Sequence, residues 1–175
     1  MKPLYQNIKI KACGGTNISE SKDLFSYMAS DFKNWKLDND SPLSKETELA
    51  VLELNKNKTF EQMFVKPEEM YLTQAQIVEY VKENKDKIKD WYNFFLLKEN
   101  GEFFIAHVRF DDRGPLSVYV RRFSDDFVWS GEGRHRVVVP QHSLKYFNSC
   151  PSETLTLESA LKLVKEAGYK VYKEV

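Results

Sequence analysis

All six arginines of the chain (Arg109, Arg113, Arg121, Arg122, Arg134 and Arg136) and all three histidines (His107, His135 and His142) fall between residues 99 and 144, a window without lysine. Elsewhere every basic side chain is lysine. The switch has chemical meaning. A guanidinium is planar, bonds carboxylate or phosphate through two prongs and stacks on aromatic rings, whereas an ammonium is a solvated point charge. Two arrangements satisfy such a demand. Arginines interleaved with aromatic rings on an open sheet can hold single-stranded nucleic acid by stacking and backbone contacts. Alternatively, the arginines pair with Asp111, Asp112, Asp125, Asp126 and Glu132 and lie over Trp129 and Tyr119, fixing strand order within the monomer. Six acids between Glu102 and Glu132 match the six arginines, so internal neutralisation is arithmetically possible. The candidate binding surface comprises Arg109, Tyr119, Arg121, Arg122, Trp129, Arg134, His135 and Arg136.

Catalysis has thinner support. The candidates are His135, whose two arginine neighbours disfavour its charged form, and His107, a mid-strand residue that usually packs in a sheet. Neither has a Ser, Cys or Asp partner that the sequence places beside it, and no catalytic residue is assigned. The acid pairs Asp111-Asp112 and Asp125-Asp126 resemble a cation site, but a strand of eight residues would hold them about 25 Å apart. Each pair reads instead as a turn former, and no metal or cofactor is expected. "SGEG", residues 130–133, lacks the strand, helix and Lys-Ser/Thr context of a phosphate loop and reads as a turn. Cys13 and Cys150 have neither pairing nor zinc-ligand spacing and read as reduced thiols.

The chain has 175 residues, 42% apolar and 14% aromatic, enough for one domain with a substantial core. A helical subregion over 1–70 is conceivable beside a sheet and C-terminal helix over 71–175. Lys plus Arg equals Asp plus Glu at 26 each, so no global field draws the protein to nucleic acid or membrane. No apolar run approaches the roughly 18 residues of a spanning helix, and the first residues lack a signal-peptide pattern. A soluble, cytoplasmic protein is expected, with no membrane partner.

Several elements must position the window. Ile8 and Ile10 suggest a short strand, and Leu24, Phe25, Met28 and Phe32 a helix face within 21–35. "TELAVLEL" could line a strand buried on both faces or the inner side of a helix, and the turn at "NKNK" favours the strand. Thr59 can cap a short helix through Phe64, and Thr73 with Gln76 forms a capping box opening a longer one. Asn100-Gly101 predicts a tight hairpin, setting Leu97 opposite Phe104 and Phe95 opposite Ala106 on a core face, with Trp91 opposite Phe110. The other face then carries Phe94 opposite His107 and Tyr92 opposite Arg109. A five-residue loop over 111–115 would add Ser117, Tyr119 and Arg121 to this second face, beside Ile105, His107 and Arg109. "RHRVVVP" supplies a fourth strand ended by Pro140, and "FVWSGEG" is a short strand or loop. Thr156 can cap a C-terminal helix closed by Gly168, with "YKVYKEV" as an edge strand. The fold class is α+β: an antiparallel sheet of about four strands over 91–140, helices before it and a C-terminal helix packed on it.

"FFLLKENGEFFIAHVRF" with "RFSDDFVWSGEGRHRVVVPQ" resembles small uncharacterised proteins of candidate-phyla bacteria that share an aromatic hairpin and an RHRVVVPQ-like segment. The likeness spans roughly residues 73–141 and implies that the hairpin region is the shared unit. It implies no activity. The residues therefore favour a non-enzymatic binding or interaction module presenting an Arg and aromatic sheet surface. Its partner would be a protein, or else single-stranded nucleic acid such as RNA. A small hydrolase or transferase using a sheet histidine is the remaining alternative.

Overall fold

The structure, a computed structural model, describes residues 1–88, 90–111 and 116–148. The chain divides into two units, Met1–Leu144 and Lys145–Val175. The first is built on seven strands: β1 (Lys2–Ile10), β2 (Tyr27–Met28), β3 (Thr47–Glu53), β4 (Tyr92–Glu99), β5 (Glu102–Phe110), β6 (Leu116–Arg122) and β7 (His135–Pro140). Its short helices are α1 (Asp31–Asn34), α2 (Phe60–Met63), α3 (Pro67–Met70), α4 (Gln74–Glu83) and α5 (Lys85–Ile88), and its last described turn is Gln141–Leu144. In the second unit, the described residues form α6 (Lys145–Asn148).

The spatial order is β1-β3-β7-β4-β5-β6-β2. β7 runs parallel to β4, and β2 runs parallel to β6; the other neighbours are antiparallel. This corrects the four-stranded antiparallel sheet expected from the sequence. The error has a physical source. Side-chain periodicity reports which residues share a face but is silent on which strands pair. β7 is buried at every position, as a central strand must be, and it inserts between β4 and β3 instead of adding beside β6. The region before residue 70 supplies β1, β2 and β3, so it is not a helical subregion. The C-terminal helix and the "YKVYKEV" strand lie outside the described residues.

Local signals fared better than pairings. The Thr59 and Thr73 capping boxes both form: each hydroxyl accepts from the backbone N–H three residues on, and Gln62 or Gln76 returns the bond. Asn100 and Gly101 both take positive φ, 51° and 82°, and the β4–β5 register has Leu97 opposite Phe104, Phe95 opposite Ala106 and Phe94 opposite His107. Trp91 precedes β4 and pairs with nothing in the hairpin. The expected helix over 21–35 shrinks to α1. Leu24, Phe25 and Phe32 are buried as their spacing suggests. However, Ser26 and Ala29 donate their N–H groups to the Leu116 and Val118 carbonyls, so strand pairing takes the backbone a helix would have used.

Apolar side chains cover both faces of the sheet. On one face Phe95, Leu97, Ala106, Val108, Val118 and Val138 meet Ile77, Val78, Tyr80 and Val81 of α4 in a continuous core. On the other, Phe60 of α2 packs edge-on to Phe94 at 5.4 Å, with Trp129 above both. Among the described residues no helix is long and apolar enough to cross a membrane.

Candidate functional site

The β5–β6 register decides which side chains converge. Ile105 pairs with Arg121, His107 with Tyr119 and Arg109 with Ser117, the arrangement expected for a five-residue connection. Tyr92 joins them from β4. Arg109 lies between two phenol rings, its guanidinium carbon 5.2 Å from the Tyr92 centroid and 5.1 Å from that of Tyr119. It donates to both hydroxyls, at 3.1 and 3.4 Å, and its Nε sits 3.1 Å from Asp111. Asp111 also accepts from Ser117 Oγ at 2.5 Å. Burial opposes the charge on Arg109, but the hydrogen bonds it donates to the two tyrosine hydroxyls outweigh that and hold it more firmly in its charged form.

Beyond Tyr119 an open cleft of about 780 Å³ follows the end of β6. Arg121 forms one wall, 5.6 Å over the Trp129 ring and 2.9 Å from Asp125. Arg122 forms another, 4.9 Å over the Trp35 ring, with Glu102 3.5 Å away. Tyr27, which packs on Tyr119 at 5.2 Å, and Phe127, which packs on Trp129 at 4.8 Å, remain about half exposed at the margin. Each cleft arginine is thus matched to a ring and a carboxylate, as in the internal pairing scheme, with Glu102 in place of one expected aspartate.

Trp129 is fixed by backbone. Its N–H and carbonyl exchange hydrogen bonds with Lys58 at 2.9 and 3.0 Å, so "FVWSGEG" supplies an isolated bridge and a turn. The two glycines of "SGEG" are required by close approach. A Cβ on Gly133 would meet the His135 ring at 2.2 Å, and one on Gly131 would meet Lys56 backbone at 2.5 Å. The turn wraps the imidazole, and the Ser130 carbonyl accepts from His135 Nδ1 at 2.9 Å. This geometry puts the proton on Nδ1.

Both sheet histidines are held neutral. His107 is 6% exposed, and burial, reinforced by Arg109, Arg121 and His135, pushes its pKa down to about 3. Its Nε2 is buried without a hydrogen-bond partner. His135 is also lowered, by burial and against the Ser130 bond; the flanking arginines invoked from sequence are not the cause. Arg134 is exposed at φ 55° and has neither ring nor acid beside it among the described residues. Arg136 points to the opposite face, 3.8 Å over the Trp91 ring and 5.5 Å from that of Tyr5, donating to the Lys87 carbonyl. His142 contacts the Glu69 carbonyl, and Arg113 and Asp112 lie outside the described residues.

Of the expected surface, Arg109, Tyr119, Arg121, Arg122 and Trp129 gather at the cleft. His135 packs beneath Trp129 at 5.1 Å, and Arg134 and Arg136 stand apart. Sequence reasoning missed Ala29, Asp31 and Trp35, which line the cleft in the segment that follows the pairing of β2 with β6. A parallel contact across about ninety residues of chain leaves no periodic trace. No protein-family model, curated protein or solved structure matches this chain.

Proposed function

We propose that this protein is a binding module and that the cleft at the end of β6 is where it engages its partner. The observation that carries this reading is the lining itself. Arg109, Arg121 and Arg122 are each oriented by a ring and a carboxylate around an open cavity whose margin keeps Tyr27 and Phe127 half exposed. Orientation costs side-chain entropy, and a guanidinium already held loses less when a partner arrives. The volume falls within the range of small-ligand and side-chain pockets.

Catalysis by a sheet histidine has less support. An imidazole with a pKa near 3 is a feeble base at neutral pH. His135 spends its Nδ1 proton on a carbonyl beneath Trp129. Nucleic acid also has less support, because a run of phosphates needs several free cations and two of the three cleft arginines, Arg109 and Arg121, already have a carboxylate at 3.1 and 2.9 Å.

The test is a small-fragment screen read by the amide NMR spectrum. Hits should shift resonances of β6 and of residues 124–129 and disappear in Arg121→Ala and Trp129→Ala. Fragments that cluster on another surface would overturn the reading. A single-stranded oligonucleotide that bound with steep salt dependence would replace it with the nucleic-acid alternative.

A further inference from the structure

Tyr119, Val120, Arg121 and Arg122, four consecutive residues of β6, all border the cleft. Side chains alternate between the faces of a strand, so a cavity touching four in a row runs along the strand's edge. Beyond Val118 the edge has no strand partner because β2 is short, and Val120, 5% exposed, meets the cleft as one of its lining residues. The two residues of β2 pair with Ser117 and Val118, the Ala29 N–H reaches the Val118 carbonyl at 3.0 Å, and the chain then turns into α1. The register fixes which groups are left over. Phe123 donates to the Phe103 carbonyl, so odd-numbered residues of β6 aim their backbone groups at β5 and even-numbered ones aim outward. The Val118 carbonyl is taken by Ala29, and the Arg122 carbonyl accepts from the Asp125 N–H. Among the described residues Val120 has no backbone partner on its outer side.

Resting on the cleft as the binding site, we propose that its occupant is an extended peptide. The peptide adds to β6 at Val120 by main-chain hydrogen bonds and directs an acidic side chain at Arg122. A free N–H and C=O on one strand residue are complemented in geometry by another extended backbone, the basis of strand addition. The acidic preference comes from Arg122, which Trp35 orients but which is weakly neutralised. Its Glu102 partner is 3.5 Å away, with side chains 54% and 66% exposed, a pairing worth little in water. The unpaired groups among the described residues are those of Val120 and the Arg122 N–H, and two arginines follow Val120, so the edge is too short and too charged to template pairing between copies of the chain.

The experiment selects short random peptides displayed on phage against the immobilised protein and resynthesises those that enrich. They should carry Asp or Glu and slow hydrogen exchange at the Val120 amide. N-methylation of the peptide's alternate amides should weaken binding about tenfold, the value of roughly one hydrogen bond. Val120→Pro should fold, because the N–H it removes is not used by the sheet, and should lose the peptide. If that variant does not fold, the N-methylated peptide decides. No enrichment, or binding that leaves Val120 exchange unchanged, overturns the inference. Fragments that still shift cleft amides would then leave the cleft reading standing, while silence in both experiments removes both.

Discussion

Two places in the molecule set arginine against aromatic rings, and they use the same chemistry to opposite ends. On the α5 side, Arg136 is 5% exposed, lies on Trp91 and Tyr5 and donates to the Lys87 carbonyl. On the cleft side, Arg121 and Arg122 lie 5.6 and 4.9 Å over Trp129 and Trp35, yet their side chains are 44% and 54% exposed. The cation–π contact alone therefore does not separate a structural arginine from a binding one. Enclosure does: a desolvated guanidinium stabilises the fold it is buried in, while a half-hydrated one is oriented and still available.

The contrast is broken most directly at its buried end. Arg136→Ala should destabilise the protein by about 3 kcal/mol, from the lost charged hydrogen bond and the emptied space between two rings. A shifted denaturant midpoint with unchanged slope would show it. Loss below about 0.5 kcal/mol would mean the pillar is ornamental. Next comes Gly133→Ala. The added methyl would overlap the His135 ring, forcing the imidazole or the turn to move, at about 1–3 kcal/mol. Gly101→Ala, by contrast, meets no atom within 4 Å and is strained only by its φ of 82°, so it should cost less.

How far these contrasts could be read in the sequence depends on their range along the chain. The cleft face was legible because Asn100-Gly101 fixes one register and a short connection fixes the next, so alternation alone carries Tyr92, His107, Arg109, Tyr119 and Arg121 to one surface. The caps at Thr59 and Thr73 were legible for the same reason, since cause and effect lie three residues apart, although only the Gln76 half of a capping box was read and the Gln62 half was not. Arg136 was misassigned because "RHRVVVP" was read as a fourth strand with no neighbour assigned; its parallel pairing with β4 depends on contacts that no local pattern encodes. The apolar run of "TELAVLE" made burial on both faces visible as one of two readings, and "VVVP" was visible as a strand. That they are neighbours was not. The glycines of "SGEG" looked like turn formers, but Gly133 is there for the ring it lets through.

His107 offers a subtler test of enclosure. Its pKa falls from the ordinary 6.5 to about 3 in the folded chain, so below pH 6.5 the unfolded chain takes a proton that the folded one refuses. Stability contributed by the neutral ring is thus complete above pH 6.5 and is lost as pH falls toward 3, by up to about 1.4 kcal/mol per pH unit. Ordinary carboxylates titrate toward the acid end of the same window, so the signature is a difference. His107→Phe, which keeps a ring among Tyr92, Phe94 and Tyr119, should flatten the profile between pH 4 and 6 relative to the native chain. Parallel profiles would mean that water reaches the imidazole and that the β5–β6 face is wetter than its packing implies.

The smallest stability effect belongs to the residue given the most specific role. Arg122 and Glu102 are both largely exposed, so Arg122→Ala, Glu102→Ala and the double variant should each stay within about 0.5 kcal/mol of the parent, with coupling below that. If binding used Arg122 only through its packing on Trp35, Arg122→Lys would keep part of the effect and salt would leave the interaction alone. If Arg122 takes a carboxylate, peptide affinity should fall about tenfold in Arg122→Ala and weaken with added salt, and Glu102→Ala should tighten binding by removing a competitor. A fold that ignores Arg122 and a partner that does not would put this side chain on the binding side of the line that Arg136 defines from the other.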